Sequence, residues 1–595
     1  MYIDIRWRSI APRGMTVAML LLLPACENGL ESVNVDRTRL RDVDPLFQLN
    51  DVIASSAPPA DELRCEGTTV QQFVRVSTGF FACANFNVAA LSTMGHQWGA
   101  NYGRLLELND MLAKTQDEPA SQNLHNMARI MRAHVTMKIT DTYGDAPYSE
   151  ASQALDGVVF PTYDDQEQIY TGPAGILEEL ESASAALSAA APTPDDALYG
   201  GDVEQWRRFG NSLLLRAAMR LTKVAPGVAE QYALAAYQGG VMQSNADNAL
   251  VRHNANYTSA IGGTGNGNEK GNAYLPETFV EYLRSMDDPR LAEIAVRWPE
   301  ANGPASQTAE ARVFGADEQI GMPMGYDQNT IADVLPEYGL GSHYQFSRAD
   351  PFRMYDLVAP GILVTYSQTQ LLLAEAAFRG WVPGDPASYY ENAVRADMER
   401  ISTDYNDTEI SASEIDAYVA AHPLDLGNAL EQINNEYWVA SYMAPHESWS
   451  NFRRSGYPAI APNPLRGDLT TEDFFRRLLY PEDELNLNPN YADGTLPDDP
   501  VLHACIVTYA SDMTLLDTAL RPSGISGLTH DLMMASLDHA MWFHRPFRAD
   551  EWLLYHQRSP SAQAARGLAE GHIYRRDGGL AVTVIQEGLI RPIGH

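Results

Sequence analysis

Long hydrophobic runs are nearly absent from this chain. Within its 595 residues only Met15 to Leu23 is apolar enough to meet a membrane, and it falls well short of the ~20 residues a spanning helix needs. Positive charge is scarce as well. Forty-two Lys and Arg stand against 77 Asp and Glu, for a net charge of -35, which repels nucleic acid and anionic lipid over most of the surface. Nucleic-acid binding is therefore set aside. The four cysteines form no C-x-x-C pair and no Cys/His cluster, which argues against a zinc site. Nothing in the sequence asks for a metal or cofactor. The glycine-rich stretch "GGTGNGNEKGN" at 262 to 272 has neither phosphate-loop spacing and follows no apolar strand, so it reads as a flexible loop. No Ser/His/Asp arrangement is recognisable before residue 493.

What is present starts with an export signal, residues 1 to 26. Arg6, Arg8 and Arg13 form a positive n-region, the leucine run an h-region, and Leu23-Pro24-Ala25-Cys26 closes it with a small residue before cysteine. The ending resembles a bacterial lipobox and implies lipidation at Cys26, hence attachment to a membrane through the anchor. A plain secretory signal or a buried N-terminal helix are the alternatives. Cys65 and Cys83 either form a disulfide, worth about 3 kcal/mol for a loop of that length, or remain buried thiols.

With 45% hydrophobic and 20% charged residues the chain is globular and too long for one ordinary core. A flexible lead, 27 to 60, precedes a body at 61 to 492 that alternates helices with turn-rich loops. Leu124, Met127, Met131 and Val135 recur at helical spacing, as do Trp206, Phe209, Leu213 and Ala217, and Leu430, Ile433 and Tyr437. Gly380 stands at a C-cap position, and Pro445 is expected to stop the helix from Ala429. Arg216 and Arg220 look like helix-surface charges, while Arg453 and Arg454 after Glu447 and Trp449 suggest an ion pair with packing. From 225 to 360 the pattern dissolves into Gly, Asn and Pro clusters, where ligand contacts tend to live. Trp298, Tyr326, Tyr338 and Tyr344 lie there and are candidate platforms for a sugar ring by residue type.

Five stretches carry a resemblance: "DTYGDAPYSEA" (141 to 151), "WRRFGNSLLLRAAMRL" (206 to 221), "YSQTQLLLAEAAFRGW" (366 to 381), "EQINNEYWVASYMAPHESWSNFRRSGYP" (431 to 458) and "RRLLYPEDELNLNPNY" (476 to 491). Together with "DPRL" at 288 to 291 they resemble the SusD/RagB family of outer-membrane nutrient-uptake lipoproteins. The resemblance implies a mainly α fold with tetratricopeptide-like helix pairs. It also implies a cell-surface location, a SusC-like TonB-dependent barrel as partner, and an oligosaccharide or other nutrient as ligand, without catalysis.

From residue 493 the texture changes. Half of the 14 histidines lie in the last 95 residues. Leu502, Ile506, Tyr509 and Met513 mark one helix. "MMASLDHAMWF", "EWLLYHQRSP", "ARGLAEGHIYRR" and "LAVTVIQEGLI" read as strands, with "DGG" at 577 to 579 as a hairpin turn. A small α+β, hotdog-like segment at 493 to 595 is expected. "LPDDPVLHACIVTYASDMTLLDTAL", "SLDHAMWFHRPFRADEWLLY" and "QEGLIRP" resemble the C-terminal half of TesB-type acyl-CoA thioesterase II. That resemblance implies acyl-CoA hydrolysis, with Asp512, Ser536 and Gln586 orienting water. The first hotdog half is missing, which leaves an open sheet edge, and export separates the tail from cytosolic CoA. His539 and His544 would face opposite sides of a strand, and Cys505/His503 has little beyond proximity. The tail is then either a working fusion docked on the body or a second copy, or a silent end.

Overall fold

The computed structural model describes residues 43–76, 95–267, 270, 272–464, 474, 476–491, 500–521 and 532–592. Cys26 and Cys83 lie outside the described residues. Cys65 is disulfide-bonded. By backbone contacts the chain divides into two units: residues 1–144 with 166–478, and 145–165 with 479–595.

In the first unit the helices of ten or more residues, numbered in chain order, are α1 Pro45–Ser55, α2 His96–Thr115, α3 Gln122–Tyr143, α4 Ile176–Ala186, α5 Val203–Arg220, α6 Pro226–Gly239, α7 Tyr366–Phe378, α8 Pro386–Asp404, α9 Ala412–Ala421, α10 Ala429–Ala440 and α11 Pro445–Ser455. Local sequence sets their limits. Asp202 caps α5 by accepting from the Glu204 and Gln205 amides at 2.9 and 3.0 Å. Thr365 with Gln368 closes a capping box on α7, as Ser411 with Glu414 does on α9. Gly144, at φ +87°, ends α3. Pro445 does not stop α10, which ends at Ala440; it occupies the first turn of α11, where a missing N–H costs nothing.

Helical spacing places the predicted stripes of α3 and α5 in the core, with Met127, Met131, Trp206, Phe209 and Leu213 fully buried. Neighbours in sequence pack as neighbours in space: α2 on α3, α4 on both α3 and α5, α5 on α6, and α7 on α8 and α10. Arg290, fully buried, joins these layers. It donates to Asp288, Asp397 of α8 and Glu436 of α10, which explains the "DPRL" motif as an internal clasp.

The region from 225 to 360 is more ordered than its composition predicts. Besides α6 it holds short helices at Ala260–Asn266, Glu277–Ser285 and Arg290–Ile294. Short antiparallel ladders join Ala249–Val251 to Gly361–Val364 and Ala295–Val296 to Arg348–Ala349. The expected loop at 262 to 272 is helical over its first part because Ser259 caps it at Gly262. Its glycines allow close packing: a Cβ at Gly262 would strike the Asp356 carbonyl and one at Gly265 the ring of Tyr355.

The second unit contains α12, Pro500–Leu515, and strands β1 Leu532–Phe543, β2 Leu553–Gln563, β3 Arg566–Arg575 and β4 Leu580–Pro592. All pairings are antiparallel, in the order β1-β4-β3-β2. Gly578, at φ +82°, makes the β3–β4 turn. Val507 and Leu515 of α12 pack on Ala569, Ile573, Val582 and Val584. This corrects the expected helix face. The buried stripe is His503, Val507, Ser511 and Leu515, whereas Tyr509 and Met513 are 76% and 68% exposed. The helix is apolar on two sides, and the side with smaller residues lies on the sheet. Trp542, Met533, Leu537 and Leu554 are exposed too. No helix among the described residues is long and apolar enough to cross a membrane.

Candidate functional site

The tail brings Asp512, Ser536 and Gln586 together. Gln586, 1% exposed, projects from β4 toward α12 beside Val584. Its Nε2 donates to the Asp512 carboxylate and, at 3.0 Å, to Ser536 Oγ. Ser536 reaches this face through a bulge. Gln586 pairs with His539 and Glu587 with Asp538, but Gly588 pairs with Ser536, so Leu537 is the extra residue. Without it, alternation would turn Ser536 to the opposite face. A Cβ at Gly588 would meet the side chain of Leu516, so glycine lets the end of the helical segment lie close to the strand.

Asp512 and Ser536 are solvent-exposed, so a water and a substrate have access to both. The carboxylate is felt nearby: burial, and then the charge of Asp512, raise the Tyr555 hydroxyl above its ordinary range. Both Gln586 N–H contacts hold partner oxygens in place, and Ser536 accepts one of them. The arrangement can hold a water against a carboxylate base with a hydroxyl beside it. His539 contacts Ser511 on the helix side at 3.1 Å, while His544 contacts Thr583 at 2.9 Å. Cys505 is free and exposed, whereas His503 is buried, so the two form no nucleophilic pair. No group of three His, Cys, Asp or Glu among the described residues can hold a metal.

In the first unit the structure separates the four candidate aromatics. Trp298 is 1% exposed, with its indole N–H given to the Thr308 carbonyl at 2.7 Å. It is a core residue and offers no face to a sugar. Tyr326 and Tyr338 pack half-buried against one cluster around Met322 and Phe346, and Tyr338 donates to Glu277 at 3.1 Å. Tyr344 packs against the separate Trp298 cluster, its ring 4.0 Å from that of His343.

A cleft of about 520 Å³ opens elsewhere, lined by Tyr170, Arg220, Lys223, Val224, Val228 and Arg453 among others. Its size and mixed lining suit a small ligand. The Arg453 guanidinium lies 3.6 Å from the Trp449 ring centre and donates to the Asp141 and Arg476 carbonyls. Burial draws it down to about 10. Arg220 donates to Asp141 at 3.0 Å and to Glu447 at 2.7 Å. Arg216 and Arg220 are thus buried ion-pair partners and not surface charges. Despite burial, which raises it, Arg216 and Arg220 hold the Glu447 carboxyl below its usual range. A neighbouring cavity of about 30 Å³ among Lys138, His134, Arg216 and His446 has room for a water or two, not for a sugar. Of these residues Arg220 and Arg453 sit within stretches that the sequence marks as scaffold, and charged residues inside an apolar helix were the available signal.

Residues 39–481 match the SusD-like family model described as "Starch-binding associating with outer membrane". The chain belongs to this SusD-like family. Residues 486–589 match the acyl-CoA thioesterase family, so the chain is a SusD-like domain fused to a C-terminal thioesterase domain. A solved chitin-binding protein shares 30% identity at TM-score 0.65, over 76% of this chain and 96% of its own. A Bacteroidetes SusD-like structure shares 25% at TM-score 0.63 with the same coverage. A SusD homologue from Bacteroides fragilis, at 23% identity and TM-score 0.62 over 75% and 94%, has the same fold. For the tail, human acyl-coenzyme A thioesterase 8 is 52% identical over 93 residues, 16% of this chain and 28% of that protein. Acyl-CoA thioesterase 2 of Haemophilus influenzae is 41% identical over 99 residues, 17% and 35%. The chain spans about a third of the length of the curated relatives it matches.

Proposed function

We propose that this SusD-like chain is an outer-membrane lipoprotein, anchored through Cys26 at the cell surface, that captures a glycan for a SusC-like TonB-dependent barrel. The family match over residues 39–481, joined to 30% identity across 96% of a chitin-binding protein, carries this reading and makes chitin oligosaccharides the first ligands to try. Tyr326, Tyr338 and Tyr344 are each half-buried and are the loop aromatics assigned to ligand. Titration of tryptophan fluorescence with a glycan panel tests the claim. A saturable response to a glycan supports it; silence across the panel, with no barrel co-purifying, sinks it.

A second activity is proposed on the hydrogen bonds that Gln586 makes to Asp512 and Ser536. The tail hydrolyses an acyl-CoA thioester. Asp512 takes a proton from water as its oxygen bonds to the thioester carbonyl carbon. The C–S bond then breaks, and the thiolate recovers a proton to leave as free thiol. Ser536 and Gln586 hold the water and the carboxylate in line. Release of thiol from acyl-CoA by the wild-type chain, lost in Asp512→Ala, supports this assignment; an inactive wild type refutes it.

A further inference from the structure

The cleft of about 520 Å³ in the first unit has no part in glycan capture by the loop tyrosines, and its charges do not balance. Of the carboxylates that line it, Asp141 accepts from Arg220 at 3.0 Å and from the Tyr170 hydroxyl at 2.6 Å. The other ion pair of Arg220 is to Glu447, which Arg216 shares. Those two arginines and two carboxylates cancel. Arg454, also on the wall, is paired to Glu375. Two further cations line the cleft with no carboxylate partner among the described residues. Arg453, half-buried, donates to the Asp141 and Arg476 carbonyls and to the Ser450 hydroxyl, and its Nε is a buried donor with no partner among the described residues. Lys223 is exposed, and its ammonium group has no partner among the described residues. Against them stands one uncommitted carboxylate, Glu167, which is exposed.

We propose that this cleft binds the carboxylate of a small organic acid, with Lys223 and Arg453 as its cations. In a chain of net charge -35, a local surplus of positive charge is a selective feature. A guanidinium taken from water without a counter-ion is costly, and a carboxylate offers it the charge-assisted hydrogen bonds it lacks. The surplus is one charge, two cations against Glu167, so it matches a monoanion better than a phosphate.

The rest of the lining suits a carbon skeleton. Leu221 and Val224 lie in the turn after α5, and Val228 lies in the first turn of α6. Val224 is 80% exposed, an apolar side chain that a ligand would cover. The volume falls in the range of small-molecule sites and accommodates an acid the size of a monosaccharide or a medium-length alkyl chain.

The test is calorimetric titration of the full chain with octanoate, glucuronate, their neutral counterparts 1-octanol and glucose, and inorganic phosphate. At least one acid should bind saturably and about tenfold tighter than its neutral counterpart. Tighter binding of octanoate assigns the site to acids with an apolar skeleton; tighter binding of glucuronate assigns it to sugar acids. Lys223→Gln changes an exposed side chain without a partner and should weaken acid binding about tenfold, while Glu167→Gln removes a repelling charge and should strengthen it. Neither change should alter glycan binding at Tyr326, Tyr338 and Tyr344, so the two sites stand or fall separately. No binding of either acid, acids held no better than their neutral counterparts, phosphate held tighter than both acids, or acid binding indifferent to Lys223→Gln would overturn the assignment.

Discussion

Replacing Glu375 with glutamine removes the carboxylate that holds α7 to α11. Arg454 meets it with two parallel hydrogen bonds of 2.7 Å, Arg379 adds two of 3.0 and 2.8 Å, and the Glu375 and Arg454 side chains are 1% and 3% exposed. Burial opposes the charge, but Arg454 and then Arg379 bring the carboxyl from 4.5 down to about 2. At 1.36 kcal/mol per pH unit that lowering is worth about 3 kcal/mol, close to the ~3–5 kcal/mol expected when one partner of a buried pair is removed. Because the folded-state value is depressed, the stabilisation is fully present above about pH 4.5 and is lost as pH falls toward 2. Guanidinium unfolding followed by far-ultraviolet circular dichroism should place Glu375→Gln about 3 kcal/mol below wild type at pH 7, with the gap narrowing between pH 4.5 and 2. A difference under about 1 kcal/mol at pH 7, or one that stays constant down to pH 2, would refute the assignment.

Other expectations follow from the same geometry. Asp512→Ala should lower kcat for acyl-CoA about 10²–10⁴-fold with little change in KM, as for loss of a general base. Deleting Leu537 removes the bulge and turns Ser536 away from Gln586, so thiol release should be lost while circular dichroism retains the sheet. Trp298→Ala should cost about 3–5 kcal/mol in stability and leave glycan affinity of the folded protein unchanged, as calorimetry would register. Burial, reinforced by Asp288 and Asp397 against the pull of Arg290, raises Glu436 to about 7. Its raised value means that it contributes stability below pH 4.5 that is lost as pH rises to 7, and Glu436→Gln should flatten that dependence in denaturant midpoints at pH 5 and 8.

The helical stripes of α3 and α5 were legible because apolar residues at a 3.6 period have one way to reach a core. Arg216 and Arg220 were not, since periodicity cannot tell a solvated cation from one whose carboxylates, Asp141 and Glu447, arrive from helices 79 and 227 positions away. Trp298 misled for a related reason: its segment is poor in regular structure yet packs around it. In the tail, the strands followed from alternation and β-branched residues, but the face of α12 did not, because both of its sides are apolar. Asp512, Ser536 and Gln586 came from resemblance to a family. A period-two pattern places Ser536 and His539 on opposite faces, and only the bulge at Leu537 puts both toward α12.

Calorimetric titration of the mature chain with chitin oligosaccharides and a wider glycan panel tests the central claim most directly. Saturable binding of a glycan, weakened by substitution of Tyr338 or Tyr344, is the predicted result. No heat of binding with any glycan, from a chain whose circular dichroism shows it folded, would contradict it.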